Sequence, residues 1–328
     1  MRVAVTGSIA TDHLMTFGGR FADSLVVGQL DKVSLSFLAD DLQIRRGGIA
    51  ANIAFGMASL GQRPVLVGAV GEDFGDYRSW LERHGVDCAS IHVSDTAHTA
   101  RFVCTTDTEM AQIATFYPGA MSEARAIELQ PVADRVGGLD LVLIGPNDPE
   151  AMQRHTDECR TRDIPFAADP SQQLAWLDGP GITGLIDGAA FLFTNEYESH
   201  MIRHKTGWSD ADIASAVTVE VTTKGKDGAV IRRQGQAPIE VPVLPDVHPL
   251  DPTGIGDAFR SGFLTGLAAG LPDRRCAELG STLAAYVIET VGTQEYRLGQ
   301  QDLIDRIAHA YGSAAAAEIG THVRCEQP

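Results

Sequence analysis

The sequence predicts an α/β protein whose central sheet is mostly parallel and carries helices on both faces. Short apolar runs alternate with longer helical stretches along the 328 residues. The apolar runs are continuous rather than alternating, as expected of strands that are buried on both faces. Most of them end at glycine or polar residues, which is where ligands bind in sheets of this kind.

Five apolar runs are predicted as strands of this sheet, at residues 3–6, 65–70, 141–145, 166–169 and 191–195. A helix is predicted over residues 49–60, where Gly61 would end it, and another from near Ala258. The alanine-rich stretch 313–319 predicts a terminal helix. Polar or glycine-containing segments follow predicted strands at residues 6–8, 169–170, 195–196 and 223–225. We expect them to line one shared cleft.

Two segments, approximately 15–46 and 98–118, interrupt the α/β pattern with β-prone pieces such as 32–37 and 99–104. They are expected to pack together as a small sheet that closes over the cleft and excludes water. A long surface loop and an extra hairpin on the main sheet are the alternative. Because no repeat or Pro-rich linker divides the chain, residues 1–328 are expected to form one domain with this lid.

Composition excludes several classes of protein. A formal net charge of −17 argues against a nucleic-acid-binding or membrane-surface protein, although local N–H groups can still bind phosphates. No apolar run approaches membrane-spanning length, and the N-terminus enters a strand pattern without a signal-peptide layout. The five cysteines show no metal-ligand spacing and are expected to be reduced thiols in a cytoplasmic protein.

Residues 251–257, Asp-Pro-Thr-Gly-Ile-Gly-Asp, directly precede the helix expected from Ala258. Unpaired N–H groups and the helix dipole at such an entrance suit a phosphate or a developing oxyanion. A carboxylate there would repel a bound anion. Asp257 is therefore interpreted as a base that takes a proton from a hydroxyl attacking a phosphoryl group. An ordinary N-cap aspartate after a glycine-rich turn is the alternative.

The same seven residues resemble the second signature of the ribokinase-like kinases (the phosphofructokinase-B type), written D-T-x-G-A-G-D. Pro252 is a departure, and Ile255 stands where alanine is usual. The resemblance implies a three-layer α/β/α sandwich with a mostly parallel central sheet and a small β-sheet lid. It also implies that Asp257 is the general base for transfer of the ATP γ-phosphoryl group. The backbone N–H groups of Gly254, Ile255 and Gly256 would then form the anion hole.

Residues 45–52, Arg-Arg-Gly-Gly-Ile-Ala-Ala-Asn, resemble the family's first signature, G-G-x-x-x-N, which holds a sugar. Gly48 and Asn52 are accordingly expected to contact the substrate, and the Asn52 amide offers both donors and an acceptor for hydroxyl groups. A helix start with an ordinary polar asparagine is the alternative.

Asp12 follows the first strand and resembles the family's N-terminal G-x-x-x-x-D element. One carboxylate can accept two hydrogen bonds from a vicinal diol, which distinguishes ribose from deoxyribose. The resemblance also implies substrate contacts from Ser8 and Ser36. The motif G-x-G-x-x-G is absent here, which argues against a dinucleotide-binding dehydrogenase, and His13 is interpreted as structural.

Residues 195–198 resemble the family's N-x-x-E element, which is associated with Mg²⁺ and phosphate positioning. Asn195 is expected to contact the nucleotide, and Glu198 to act on Mg²⁺ through water, because this hard cation keeps several waters. A polar loop after a strand is the alternative.

Residues 223–228 match the family's T-x-G-x-x-G turn, which lies along the ATP phosphates and ribose. Thr223, Gly225 and Gly228 are expected nucleotide contacts together with Gly256; a plain glycine hairpin turn is the alternative. The P-loop sequence G-x-x-x-x-G-K-[ST] is absent.

Four residues bear on whether the phosphorylated hydroxyl belongs to a nucleoside or to a free sugar. A nucleoside site needs an aromatic slot and amide partners for a base. Phe102 and Phe116 could stack on an adenine ring, while Gln172 and Gln173 could hydrogen-bond its edge. The alternatives are packing within the lid for the phenyl rings and a helix N-terminus for the glutamines.

The stretches 5–14, 116–124 and 168–173 resemble the actinobacterial type of adenosine kinase within this family, and the likeness covers nearly the whole chain. The expected reaction is adenosine plus ATP giving AMP plus ADP, as in purine salvage. A ribose or fructose kinase of the same family is one alternative. A catalytically silent nucleoside-binding protein is another, although the presence of Asp257 counts against it.

Two further expectations come from the resemblance. One is a homodimer formed through the strands of the lid, whose exposed edges invite pairing. The other is a K⁺-type site near Asp251 and the loop 289–294. No nucleic acid or membrane is expected as a partner.

Overall fold

The computed structural model describes residues 1–24 and 36–325, and within them three sheets are present. The central sheet has eight strands, in the order β14-β13-β12-β11-β10-β9-β1-β4. These strands are β1 (Val3–Thr6), β4 (Val65–Val67), β9 (Leu141–Ile144), β10 (Phe166–Ala168), β11 (Phe191–Asn195), β12 (Val219–Thr223), β13 (Ala229–Arg233) and β14 (Ile239–Val241). Six of them run parallel, and β13 and β14 complete one edge as an antiparallel pair.

The other two sheets are smaller. The second sheet has the order β3-β2-β7-β8 and consists of β2 (Ala10–Thr16), β3 (Asp41–Gly47), β7 (Ala100–Thr106) and β8 (Gln112–Tyr117). The third is a parallel pair of β5 (Ala69–Gly71) and β6 (His92–Ser94).

Twelve helices occur among the described residues. They are α1 (Phe21–Ser24), α2 (Ile49–Ser59), α3 (Gly75–Arg83), α4 (Leu129–Val136), α5 (Pro149–Thr161), α6 (Gly179–Ile186), α7 (Glu196–Thr206), α8 (Asp210–Ala216), α9 (Ile255–Ala268), α10 (Asp273–Ile288), α11 (Gln300–Tyr311) and α12 (Ser313–His322). None of them is long and apolar enough to cross a membrane.

The core confirms the predicted three layers, because alternate residues of the central strands enter two separate apolar clusters. On β9, Leu141 and Leu143 join the cluster that includes α2, α9 and α10, whereas Val142 and Ile144 join the cluster beneath α4 to α8. Side chains that alternate along a strand point to opposite faces. Both faces of the sheet are therefore covered by helices, which explains why the strands read as continuous apolar runs.

Two predicted boundaries differ from the structure. The single strand expected over 65–70 is broken at Gly68 into β4 and β5, because the backbone there passes close to Gly7; a Cβ on Gly68 would lie 2.9 Å from the Gly7 carbonyl oxygen. The helix expected near Ala258 begins at Ile255, so Asp257 lies in its first turn.

The second sheet occupies much of the two segments expected to form a lid. Its strand β2 begins at Ala10, earlier than the predicted boundary near residue 15. Most of the β-prone piece 32–37 lies outside the described residues. The action of this sheet as a lid, and the assignment of residues 1–328 to one domain, stay predictions.

Candidate active site

The carboxyl ends of five neighbouring parallel strands meet at one edge of the central sheet. Strands β12, β11, β10, β9 and β1 are adjacent in that order, so the segments that follow them lie side by side. The segments include Ser8 after β1, Asp169 after β10 and Asn195 at the end of β11. This edge is the place where open parallel sheets bind ligands.

Helix α9 begins beside this edge with three unpaired N–H groups. Gly254 precedes the helix with φ 80°, a left-handed conformation that suits glycine, and a Cβ there would lie 2.8 Å from Cγ2 of Thr293. Within the described residues, no protein acceptor takes the N–H groups of Gly254, Ile255 or Gly256. These donors and the positive end of the helix dipole form an anion-binding position.

Asp257 lies in the first turn of α9, where part of its side chain remains open to solvent. The Asn52 side chain donates a hydrogen bond from Nδ2 to Oδ2 of Asp257 at 2.8 Å. Burial raises the pKa of Asp257 to about 7, although this hydrogen bond and the charge of Arg260 oppose the rise. A carboxylate with such a pKa is suited to accept a proton near neutral pH.

Asn52 is more fully engaged than its sequence motif predicts. Its Oδ1 accepts from Nε2 of Gln294 at 2.9 Å and lies 3.0 Å from the Thr293 hydroxyl. The oxygen that was expected to accept from a substrate hydroxyl is thus occupied by protein donors. One hydrogen of Nδ2 remains for a ligand.

Gly48 and Ser8 hold the start of helix α2 (Ile49–Ser59) against the end of β1. Gly48 has φ 91°, and a Cβ on it would lie 2.6 Å from the Ser8 carbonyl oxygen, so only glycine fits. The Ser8 hydroxyl accepts the N–H of Ile49 at 3.1 Å. Its own hydrogen has no acceptor among residues 1–24 and 36–325, and can be donated to a ligand.

Asp12, Phe102 and Phe116 form one row across the second sheet. Asp12 on β2 is in register with Phe102 on β7, which is in register with Phe116 on β8. Residues in register on adjacent strands share a face of the sheet. Oδ2 of Asp12 would lie 2.8 Å from a Cβ on Gly47. This face of the sheet therefore lies beside Gly47 and Gly48.

The two phenyl rings of this row are not buried, since Phe102 is partly exposed and Phe116 is 49% exposed. Burial raises the pKa of Asp12 to about 6, and the charge of Arg45 opposes the rise. Ser36 is exposed, and no hydrogen bond joins its side chain to another described residue.

Gln172 and Gln173 follow β10 in a short 3-10 helix, Ser171–Ala175. Gln173 donates its amide to the carbonyl oxygen of Asn147 at 2.8 Å. Gln172 is exposed, and among the described residues its side chain forms a hydrogen bond with the Ser171 hydroxyl alone. Ser171 has φ 44°, an unusual conformation for serine. The Gln173 side chain is therefore fixed by the fold, and the Gln172 side chain is free to meet a ligand.

An apolar cleft of about 340 Å³ opens on the other side of the α9 entrance. Thr223, Gly225, Gly228 and Gly256 line it, as expected of residues that contact one nucleotide. The rest of its wall is mainly aliphatic, with Val243, Leu244, Val247, Pro249 and Ile288. We refer to this space as the apolar cleft.

Asn195 and Glu198 form a capping box at the start of α7. Asn195 accepts the N–H of Glu198 at 2.8 Å, and the Glu198 carboxylate accepts the N–H of Asn195 at the same distance. The other oxygen of Glu198 has one contact among the described residues, the Ser171 hydroxyl at 3.4 Å. It is available to a metal-bound water, so the residue fits an indirect role toward Mg²⁺.

No contact among the described residues marks the K⁺-type site expected near Asp251, and that site stays a prediction. Oδ1 of Asp251 accepts the N–H of Thr253 at 2.9 Å, and its Oδ2 accepts the N–H of Gly292 at 3.0 Å. Nη1 of Arg45 lies 3.6 Å from Oδ2 and supplies the positive charge that a cation would bring. Burial opposes ionisation, yet these partners hold the pKa of Asp251 below its usual range. Nor does any cluster of three or more His, Cys, Asp or Glu side chains suited to a metal occur in the described ranges.

The sequence reasoning missed a buried ion pair between Arg260 on α9 and Asp169 after β10. Nη2 of Arg260 donates to Oδ1 of Asp169 at 2.6 Å, and Nε lies 2.6 Å from Oδ2. Arg260 is 6% exposed and Asp169 1%. A charged residue one turn after Asp257 inside an apolar helix was the available signal.

Arg260 also brings positive charge to both halves of the site. Its Nη2 lies 4.0 Å from Oε2 of Glu198, and its Nη1 would lie 2.9 Å from a Cβ on Gly256. Because arginine remains protonated at neutral pH, the guanidinium is a fixed charge beneath the anion-binding N–H groups. A second overlooked residue is Asn147, whose buried Nδ2 finds no partner in the described part of the chain.

Comparison with known proteins shows the family to which the chain belongs. The profile described as pfkB family carbohydrate kinase matches residues 10–298. A nucleoside kinase of Methanothermobacter thermautotrophicus is 32% identical over 252 residues, which cover 76% of this chain and 80% of that protein. The nucleoside kinase of Burkholderia thailandensis in complex with inosine superposes with a TM-score of 0.82 at 32% identity, covering 94% of this chain and 99% of that one.

A structure of the same Burkholderia thailandensis enzyme in complex with ADP-inosine gives a TM-score of 0.80 at 32% identity, with 94% and 96% of the chains covered. Most of the chain thus matches the family, its fold matches a solved member over nearly its whole length, and the two family signatures meet at Asp257. The chain belongs to the pfkB family of carbohydrate kinases and has the ribokinase-like fold.

Proposed function

We propose that this kinase transfers the γ-phosphoryl group of ATP to the 5′-hydroxyl of adenosine, giving AMP and ADP. The observation that carries the proposal is the position of Asp257. It lies between the unpaired N–H groups of α9 and the amide of Asn52, with the apolar cleft on one side. AMP formed from a free nucleoside is the product that purine salvage requires.

In the proposed mechanism, Asp257 accepts the proton of the 5′-hydroxyl while the hydroxyl oxygen forms a bond to the γ-phosphorus. The bond between the γ-phosphorus and the oxygen of the β-phosphate breaks, and ADP leaves. The transition state of such transfers is loose, so orientation and charge stabilisation contribute most of the rate. The N–H groups of Gly254, Ile255 and Gly256 would stabilise the transferring group.

ATP fits the apolar cleft, because the glycines at 225 and 228 let phosphates approach the backbone while the aliphatic wall covers the base. Mg²⁺ would be held by the nucleotide phosphates and, through water, by Glu198. When bound, it neutralises charge on the phosphates. The fixed charge of Arg260 lies beside the same region.

The nucleoside would lie under the row of Asp12, Phe102 and Phe116. Asp12 would accept hydrogen bonds from the ribose hydroxyls, and the two rings, which share its face of the sheet and are exposed, would stack on the nucleobase. Gln172 is the free amide for the edge of the base, whereas Gln173 shapes the pocket through its bond to Asn147. The resemblance to nucleoside kinases, one of them in complex with inosine, supports this class of acceptor.

A sugar kinase would use the same base and anion site. The open rings of Phe102 and Phe116 favour the nucleoside, because a free sugar offers no flat surface for stacking. A catalytically silent binder is disfavoured, since Asp257 and the unpaired N–H groups are in place.

A homodimer through the second sheet is part of the proposal. Leu42 and Ile44 on β3 and Ile113 on β8 are all exposed, and register places them on the face opposite Asp12. Strand β8 is an edge strand whose six residues are all exposed. Unpaired edges and exposed apolar faces favour association. Light scattering coupled to size exclusion should give twice the mass of 35.0 kDa, and Ile113→Glu should give a monomer.

The proposal is tested by ATP-dependent phosphorylation of adenosine, inosine and ribose at equal concentrations with Mg²⁺ present. We expect adenosine to have the largest kcat/KM. Preference for ribose would replace the nucleoside assignment with a sugar kinase.

A further inference from the structure

A chain of hydrogen bonds leads from the partly buried Trp80 on α3, through the buried Gln294 and Asn52, to Asp257. Nε1 of Trp80 donates to Oε1 of Gln294 at 3.2 Å, and Nε2 of Gln294 donates to Oδ1 of Asn52 at 2.9 Å. Nδ2 of Asn52 then donates to Oδ2 of Asp257 at 2.8 Å. Gln294 is 1% exposed and Asn52 8%.

The direction of every bond in this chain follows from its first donor. An indole N–H can only donate, so the atom of Gln294 that faces Trp80 must be its carbonyl oxygen. The Gln294 NH₂ group is thereby turned toward Asn52. Because an NH₂ group donates, the atom of Asn52 that faces it must be the side-chain oxygen. Asn52 must then present its own amide group to Asp257.

Tyr77 fixes the remaining hydrogen of Gln294. Nε2 of Gln294 lies 2.6 Å from the Tyr77 hydroxyl, which in turn donates to the carbonyl oxygen of Gly47 at 2.9 Å. Burial raises the pKa of Tyr77 well above its usual range, so the hydroxyl stays protonated and keeps its donor role. Both hydrogens of the Gln294 amide are therefore used within the protein.

The Thr293 hydroxyl cannot replace Gln294 in this chain. Its single hydrogen lies between two acceptors, the carbonyl oxygen of Arg46 and Oδ1 of Asn52, each 3.0 Å away. It can donate to only one of them at a time. Gln294 is the donor that holds the Asn52 amide in one orientation.

We propose that Gln294, fixed by Trp80, is a positioning residue that keeps the Asn52 amide directed at the carboxylate of Asp257. A flipped Asn52 would place its oxygen against that carboxylate and would favour the protonated acid, which cannot act as a base. The proposal rests on the assignment of Asp257 as the general base.

The test compares Gln294→Glu, Trp80→Phe and Glu295→Gln by the pH dependence of kcat/KM for adenosine. A glutamate at 294 can still accept from Trp80 but has no hydrogen for Asn52, so Asn52 is expected to flip. The acid limb should move to higher pH, with a loss on the order of 10-fold at pH 6 and an unchanged KM for ATP. Trp80→Phe removes only the fixing donor and adds no charge, so a smaller shift in the same direction separates loss of the Asn52 orientation from the charge that Gln294→Glu introduces. An unchanged profile for Trp80→Phe would leave the added charge as the cause and overturn the proposal.

Glu295→Gln is the matched control. It changes the neighbouring residue, whose carboxylate pairs with Arg46 at 3.2 Å, without touching the chain of amides, and should leave the pH profile in place. Thermal unfolding and ADP binding of each variant show whether it is folded. A folded Gln294→Glu enzyme with the wild-type pH profile, or with ATP and adenosine KM values raised alike, would overturn the proposal.

Asp257→Asn separates this proposal from the proposed function. If Asp257→Asn still turns over, the base assignment fails and the positioning role falls with it. If Asp257→Asn is inactive while Gln294→Glu titrates like the wild type, only the positioning role is wrong.

Discussion

The two sides of the α9 entrance are built from different interactions. On the acceptor side, Asp257 accepts a hydrogen bond from the Asn52 amide, and Arg260, one turn further along α9, forms a buried ion pair with Asp169. On the other side, the apolar cleft is walled mainly by aliphatic side chains. Directional bonds discriminate strongly because an unmet partner is costly, whereas apolar walls discriminate weakly. For the proposed function, the difference implies strict selection of the acceptor hydroxyl and tolerance for the nucleobase of the phosphoryl donor.

The largest effect is expected on the acceptor side, from Asp257→Asn. The amide keeps the shape but cannot accept the proton, so kcat should fall by about 10²–10⁴-fold. Nucleoside binding, measured by calorimetry, should persist because the row of Asp12, Phe102 and Phe116 is untouched. Loss of a general base lowers the rate by more than about 10-fold. Turnover within 10-fold of the wild type would therefore exclude this role for Asp257.

Breaking the buried ion pair should mainly reduce stability. Arg260→Met leaves Asp169 buried without its partner, at a cost of about 3–5 kcal/mol in the free energy of unfolding. The double variant Asp169→Asn with Arg260→Met removes both charges and should regain a large part of that loss. Urea unfolding of the two single variants and the double variant checks this, and a simple sum of the single effects would contradict the pairing.

The pH dependence should follow the raised pKa of Asp257. Because the base must be deprotonated, kcat/KM should rise with pH and level off above about 7. For stability the sign is opposite: a carboxyl whose pKa is raised in the folded state stabilises the fold only while protonated, and this contribution is lost as pH rises through about 7. Thermal scans from pH 5 to 8 should therefore show a smaller fall for Asp257→Asn than for the wild type.

The second sheet offers a test of how the nucleobase of the substrate is bound. Phe116→Ala should raise the KM for adenosine by roughly 10-fold, since stacking on an aromatic ring contributes about 1–3 kcal/mol per base. Ribose, which has no base, should be affected much less. Thr115→Ala, a truncation on the opposite face of the same strand, is the control. Equal losses for adenosine and ribose would show that Phe116 only packs the sheet.

The smallest effect is expected in the apolar cleft. GTP in place of ATP should change kcat/KM by less than about 10-fold, because the aliphatic wall senses shape more than hydrogen-bonding pattern. Steady-state kinetics with both donors at saturating adenosine provide the measurement. A much stronger preference for ATP would mean that the cleft recognises the nucleobase through polar contacts. It would contradict the expected weak discrimination on this side of the α9 entrance.

Much of the fold could be predicted because its signals are local. The continuous apolar runs identified β1, β9, β10 and β11, and strand ends marked the edge where polar segments gather. The break at Gly68 could not be seen, since it depends on the approach of Gly7 from a distant segment. The early start of α9 was missed because Gly254 and Ile255 look like loop residues without knowledge of the backbone conformation.

The candidate site was predictable where a motif carries its own chemistry. Asp257 and the glycines beside it belong to one short string, so their proximity was certain from the sequence. The partners of that string were not, because Arg260 meets Asp169 across 91 positions and Gln294 meets Asn52 across 242. Arg45 is likewise a partner of Asp251, 3.6 Å away, that the seven-residue string could not reveal.

The role of Asp257 as general base is tested most directly by single-turnover phosphorylation of adenosine by wild-type and Asp257→Asn enzyme, with ATP, Mg²⁺ and adenosine prebound. We expect AMP from the wild type at a rate that increases with pH up to about 7, and almost none from the variant despite equal adenosine binding. AMP formation by the variant at the wild-type rate would contradict it.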